Sequence, residues 1–127
     1  MQQAIQTTKA PAPIGPYSQA VVAGNFLFIS GQIAINPETG HLELENLDQE
    51  TRRVMKNLKG ILEAASAGFE NVVKSSIFLS DMNDFSRVNE IYASYFTTET
   101  PPARETVQVS VLPKHVNVEI SMIAMIA

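Results

Sequence analysis

The sequence predicts an α+β fold: a two-layer sandwich with two helices on one face of a mainly antiparallel sheet. Three observations carry that reading. The last stretch, PPARETVQVSVLPKHVNVEISMIAMIA, alternates apolar and polar residues, as strands do when one face rests on a core. Two internal segments instead carry apolar residues at helical spacing. Turn residues separate these runs and give the order β-β-α-β-α-β-β.

The elements follow in order. Residues 1–17, with Pro11, Pro13, Gly15 and Pro16, read as an extended lead-in. Ser18–Val22 and Asn25–Ser30 are β-rich runs, with Gly24-Asn25 as a hairpin turn between them. Gly31 interrupts the second run and predicts a bulge, beyond which Gln32–Ile35 can continue the strand. Residues 36–40, NPETG, have turn chemistry. A first helix starts with Asn46 as N-cap and Gln49 at the third position, a variant of the capping box. Val54, Leu58, Ile61, Leu62 and Ala65 give it one buried stripe, and Gly68 is the expected C-cap. Val72–Leu79 is apolar enough for an interior strand. Asp84 is placed to cap a second helix that buries Phe85, Val88, Tyr92, Tyr95 and Phe96 and ends in residues 97–102.

Two strands close the chain. In the first, Val107, Val109 and Val111 point one way, while Arg104, Thr106, Gln108 and Ser110 point the other. After a turn around Pro113, Val116, Val118 and Ile120 take one face, and Asn117, Glu119 and Ser121 the opposite one. The expected arrangement puts Arg104, Thr106 and Glu119 together on the sheet face away from the helices, on strands that could be neighbours.

At 127 residues, 45% of them apolar, the chain reads as one globular domain spanning 1–127. It has no cysteine, which excludes disulfides and thiolate chemistry. The formal charge is −4, and Arg52, Arg53, Lys56 and Lys59 spread around a helix rather than forming a stripe. No nucleic-acid partner is expected from that pattern. His41 and His115 lack ligand spacing, so no metal is expected, and no glycine-rich phosphate loop is present. The N-terminus lacks the apolar core of a secretory signal, and no run is long enough for a membrane span, so no membrane partner and a cytoplasmic location are expected.

The residues that could carry chemistry each have a plainer alternative. Arg104 presents a planar fork suited to a carboxylate, or it forms a structural ion pair with Glu119. Glu119 can hold or deprotonate a water, or it merely neutralises Arg104. Tyr17 follows the rigid Gly15-Pro16 and can stack on a small planar substrate, or it packs at a subunit interface. Asn89 lies off the apolar stripe of the second helix and is a site residue or a solvated one. Ser30 and Gly31 offer a hydroxyl and backbone N–H groups, or only turn chemistry.

PPAR, V-x-V, LP and VEI in the last stretch resemble the C-terminal signature of the RidA (YjgF) family, the reactive intermediate deaminases. IGPYSQAV at residues 14–21, ISGQI at 29–33 and DMNDFSRVNEIYASYF at 81–96 agree in order and spacing, so the resemblance runs from about Ala10 to Ala127. It implies a chorismate-mutase-like fold and a homotrimer, with the open sheet face turned inward and sites in the clefts between subunits. It further implies hydrolysis of 2-imino acids, such as 2-iminopropanoate and 2-iminobutanoate, to 2-keto acids and ammonia without a cofactor. In that reading Arg104 binds the substrate carboxylate and Glu119 positions the attacking water. Tyr17, Ser30, Gly31, Asn89 and Thr106 then complete the binding site. Two departures stand out: Thr106 occupies a position where many relatives have cysteine, and the loop before Arg104 is shorter than in some of them. The alternative is a non-catalytic module that binds small carboxylates such as 2-keto acids. A ribonuclease ranks below both, for want of a basic groove.

Overall fold

The computed structural model describes residues 2–126. Its elements are β1 (Gln3–Ile5), β2 (Ala20–Ala23), β3 (Phe26–Gln32), α1 (Leu47–Ala64), β4 (Val72–Leu79), α2 (Phe85–Ala93), β5 (Ala103–Gln108) and β6 (Val118–Met125). The strands form one six-stranded mixed sheet in the order β1-β2-β3-β6-β4-β5. Every neighbouring pair is antiparallel except β4 and β5, which α2 connects as the crossover that a parallel pair requires. Both helices pack on one face. Leu27, Ile29, Ile77, Leu79, Val118, Ile120 and Met122 from the sheet meet Val54, Met55, Leu58, Ile61 and Leu62 of α1 and Val88 and Tyr92 of α2.

Several local expectations hold. Gly24 and Asn25 make the two-residue turn between β2 and β3, with Gly24 at φ +61°. The register between β3 and β6 shifts between Ile29 and Gln32, which is the bulge expected at Gly31. Asn46 caps α1, its Oδ1 accepting from the Gln49 N–H at 2.8 Å.

Others are corrected. A third strand, β1, lies within the lead-in and pairs with β2; three residues at a sheet edge leave almost no periodic trace. The strand after Gly31 stops at Gln32, and Ile35 makes only an isolated bridge to Leu42. Gly68 does not cap α1. Ser66 takes the left-handed position at φ +57°, with Ser66 N–H donating to Glu63 O and Ala67 N–H to Leu62 O, a complete Schellman closure without glycine. Asp84 makes no capping bond; Asp81 accepts from Asn83 N–H instead and starts a single 3₁₀ turn ahead of α2. Tyr95 and Phe96 fall beyond the helix but still pack against its core.

The largest correction concerns the last two strands. β5 and β6 are not neighbours, because β4 lies between them. On β5 the alternation is also inverted. Arg104 pairs with the buried Ser75 and Thr106 with the buried Ile77, so both share the helix-covered face. Val107 pairs with Phe78 on the open face and is 40% exposed. An edge strand covered only by the end of a short helix can put polar residues on its core side, which the period of two cannot reveal. The open face is less polar than expected. Phe26, Phe28, Val107 and Met125 are exposed on it, beside Ser76, Ser121 and the Lys74–Glu105 ion pair.

Candidate functional site

The seven candidate residues fall into two clusters on opposite sides of the sheet. The first surrounds Glu119. This residue sits near the start of β6 opposite Phe78, on the open face. The bulge in β3 brings Gly31 beneath its side chain: a Cβ at Gly31 would lie 2.9 Å from Glu119 Cδ and 3.2 Å from Cγ. Only glycine leaves that space. Burial pushes the Glu119 carboxyl above the ordinary carboxylate range, and none of the ion pairs among the described residues includes it. A carboxylate so placed is a better base near neutral pH than an exposed one.

The cleft at Glu119 has a volume of about 610 Å³, and its walls include Ile14, Tyr17, Ser30, Gly31, Ile33 and Lys114. Tyr17 is half exposed at the end of the proline-rich arm, and Ser30 holds that arm in place. The Ser30 hydroxyl donates to Ser18 O at 2.6 Å, and its N–H donates to Gln19 O at 3.0 Å. Gln19 continues the anchoring: its buried amide accepts from Thr7 N–H and donates to the carbonyls of Thr7, Ala10 and Pro11. Across the cleft, Lys114 and His115 both adopt left-handed backbone angles, at φ 55° and 57°. Two consecutive non-glycine residues there represent stored strain of about 1–2 kcal/mol each.

The second cluster surrounds Arg104, on the helix face at the far edge of the sheet. Arg104 Nη1 donates to Asn89 Oδ1 at 2.7 Å. The guanidinium lies 5.6 Å from the Phe85 ring centroid and 5.2 Å from that of Tyr92. Tyr92 is held in turn, its hydroxyl donating to Ser75 Oγ at 2.9 Å in the core. Burial raises the Tyr92 pKa, while Ser75 and Arg104 act in the opposite direction. Two residues along β5, Thr106 Oγ1 is buried without a hydrogen-bond partner among the described residues. A groove of about 490 Å³ lies alongside, walled by Asn89, Tyr92, Ala93, Phe96, Pro101, Pro102 and Arg104.

Arg104 forms no ion pair with Glu119, so the plain structural pairing of the two is ruled out within one chain. Their strands are two apart and their positions on β4, at Ser75 and Phe78, three residues apart. That geometry separates the Cα atoms by about 14 Å, with the sheet itself between the side chains. Phe85 and Tyr92 are functional candidates that the sequence reading took only as core. Their spacing with Asn89 (i, i+4, i+7) puts all three on one helix face, which also corrects the placement of Asn89 off the stripe. Lys114 was missed because backbone strain leaves no mark in the sequence. Among the described residues no group of three or more His, Cys, Asp or Glu side chains could hold a metal ion. Among the described residues no helix is long and apolar enough to cross a membrane.

The protein is thus an α+β sheet that presents an arginine platform on its helix-covered face and a carboxylate cleft on its open one. The chain belongs to the RidA (YjgF) family: the family described as Endoribonuclease L-PSP matches residues 7–126. It is 53% identical to a RutC family protein of Pyrococcus horikoshii, over 98% of each chain. It is 48% identical to a mouse protein named 2-iminobutanoate/2-iminopropanoate deaminase, over 98% of this chain and 91% of that one. Among solved structures, YyfA of the Rid protein family from Yersinia pestis superposes with a TM-score of 0.96 at 45% identity, covering 99% of this chain and all of that one.

Proposed function

We propose that this protein hydrolyses reactive 2-imino acids, including 2-iminopropanoate and 2-iminobutanoate, to 2-keto acids and ammonia, at sites shared between copies of the chain. The observation that carries the proposal is the division of the candidates into an anion-binding half around Arg104 and a water-activating half around Glu119. The deaminase name of the mouse relative supports the reaction class. A homotrimer supplies the missing half-site: Arg104 of one copy meets the Glu119 cleft of the next. The apolar residues of the open sheet face favour such an assembly, since exposed patches of this kind mark association surfaces.

Arg104, already oriented by Asn89 and the two rings, clamps the substrate carboxylate through its fork. Its preset direction lowers the ordering cost of binding. The C2 carbon of a protonated imine is electrophilic. Glu119 takes a proton from a water as the oxygen bonds to C2, and the C=N electron pair moves to nitrogen. The proton then passes from Glu119 to the amine of the resulting carbinolamine. The C–N bond breaks as the hydroxyl oxygen forms the carbonyl, and the hydroxyl proton leaves with the departing ammonia as ammonium. Water and protonated imine thus become 2-keto acid and ammonium, with Glu119 returned as carboxylate. No redox step occurs.

The test generates 2-imino acids in situ with an amino-acid oxidase in the presence of semicarbazide. The protein is expected to lower the yield of trapped imine in proportion to its concentration. Unchanged trapping across several imino acids would remove the deaminase reading and leave a carboxylate-binding module.

A further inference from the structure

Helix α1 buries three polar side chains: Thr51 turns its hydroxyl back onto Leu47 O at 2.8 Å, whereas Glu50 and Asn57, at 1% and 0% exposure, reach out of the helix. They are seven residues apart, two helical turns, and so share one face. Glu50 reaches the start of β6. Its Oε2 accepts from Asn117 N–H at 2.8 Å and Val118 N–H at 3.2 Å, and its Oε1 accepts from Asn117 Nδ2 at 2.7 Å. Asn57 reaches the segment that follows the bulge. Its Nδ2 donates to Ile33 O at 3.1 Å and Ile35 O at 3.0 Å, while its buried Oδ1 has no hydrogen-bond partner among the described residues. An amide that leaves its own oxygen unsatisfied in the core is held for its donors, because an orphaned acceptor costs stability.

The two grips end beside the reacting group. Glu50 holds the residue immediately before Glu119, and Asn57 holds a residue two beyond Gly31. Glu119 and Gly31 are the pair whose contact leaves no space for a methyl group. One rigid helix therefore fixes both walls of the cleft against each other.

We propose that Glu50 and Asn57 are positioning residues for Glu119, setting the height of its carboxylate over Gly31 and hence its distance from the attacking water. This rests on the imine-hydrolysis reading for its kinetic part only. Glutamine at position 50 can keep the grip, since its oxygen accepts from both backbone N–H groups and its amide faces a turned Asn117. Leucine has similar bulk and no acceptor. Misplacement by a fraction of an ångström reduces rate without removing the carboxylate clamp, which sits on the other half-site.

The experiment compares Glu50→Gln, Glu50→Leu and Asn57→Leu for imine hydrolysis, for pyruvate affinity by calorimetry, and for the titration of Glu119 by carboxyl ¹³C NMR. Lys114 and Tyr17 are the other titratable groups on this cleft. Glu50→Gln keeps the shape and the acceptor and is expected within about twofold of the parent in all three readouts. The two leucine variants are expected to hydrolyse roughly tenfold more slowly or worse, with pyruvate affinity within about threefold. Their Glu119 midpoint should fall towards the ordinary carboxylate value as the cleft loosens. Asn57→Leu changes no charge, so its shift reports geometry. If Glu50→Leu does not fold, Glu50→Asp, one methylene too short to reach Asn117, carries the same expectation. Folded leucine variants with parental rate and midpoint would overturn the proposal. So would equal losses in rate and affinity with an unmoved midpoint, or a Glu50→Gln as impaired as Glu50→Leu. Should the parent itself hydrolyse no imine, the NMR midpoints still decide whether the helix positions Glu119.

Discussion

Arg104 and Glu119 stand on opposite faces of one sheet, with strand β4 between their strands. Two groups so placed in one chain cannot hold the same small molecule. In an interfacial site they come from different copies, and this gives the first prediction. Arg104→Ala should be inactive alone, and Glu119→Gln reduced on the order of 10²-fold. Unfolded together and reassembled, they should recover roughly a quarter of parental activity, because random mixing leaves one interface in four with both groups intact. Imine hydrolysis by the mixture, with sedimentation to confirm assembly, checks it. An inactive mixture of well-assembled chains would place the whole reaction within one subunit.

In the proposed reaction Arg104 contacts a carboxylate that persists from substrate to product. Arg104→Ala is therefore expected to abolish calorimetric binding of pyruvate together with turnover. Arg104→Lys should rescue little, since an ammonium reproduces neither the fork nor the hydrogen bond to Asn89 combined with stacking on Phe85 and Tyr92. Parental affinity in the lysine variant would mean that charge alone suffices.

In the proposed reaction Glu119 acts on the water, so its loss should fall on rate. Glu119→Gln is expected to lose on the order of 10²-fold in hydrolysis while binding pyruvate at least as well. The same variant carries a stability signature. The native pKa of Glu119 is raised by burial above the ordinary 4.5. Below pH 4.5 the carboxyl is neutral in both folded and unfolded chains and costs nothing. As pH rises through the raised native value, the folded state is forced to bury a charge, and stability is lost. Glu119→Gln should thus melt higher than the parent at pH 7, and the advantage should vanish near pH 4. A parent at least as stable at pH 7 would contradict the burial argument.

Gly31→Ala puts a methyl group against the Glu119 side chain. The backbone there belongs to a bulge and yields little, so the carboxylate must move. Because the carboxyl can swing into the cleft, the expected outcome is a stability loss of no more than about 1 kcal/mol, together with a rate loss approaching that of Glu119→Gln. Denaturant melts and the trapping assay measure the two parts. An alanine variant with parental rate would show that the position of Glu119 is not critical.

Thr106 has a buried hydroxyl with no partner among the described residues. Removing an unsatisfied polar group while keeping the shape should help folding, so Thr106→Val is expected to stabilise the chain by about 1 kcal/mol. Thr106→Cys should leave hydrolysis within a few-fold, if the backbone rather than a thiol serves the site. A large gain on introducing cysteine would mark the parent as a weakened enzyme.

The local chemistry of the chain was legible without coordinates. Gly24-Asn25, the bulge at Gly31, the Asn46 cap and the limits of β4 follow from backbone preferences that act over a few residues. The motif residues were legible too, since PPAR and VEI are continuous strings. By itself the sequence also determined that Arg104 and Glu119 lie on alternating strands, because polarity with a period of two needs no partner to be seen. Which face each strand turns to the core, and which strand lies between them, depends on pairings of residues 29 or more apart in the chain. Those are decided by whole-sheet packing. A parallel β4–β5 pair with α2 above it gave Arg104 an aromatic bed on the covered face, while Glu119 stayed on the open one. Buried grips such as Glu50 on Asn117 were invisible for the same reason: a glutamate in the first turns of a helix looks solvated until tertiary contact puts it in the core. Only the tertiary structure decided that the candidate residues fall into two clusters on opposite faces of the sheet.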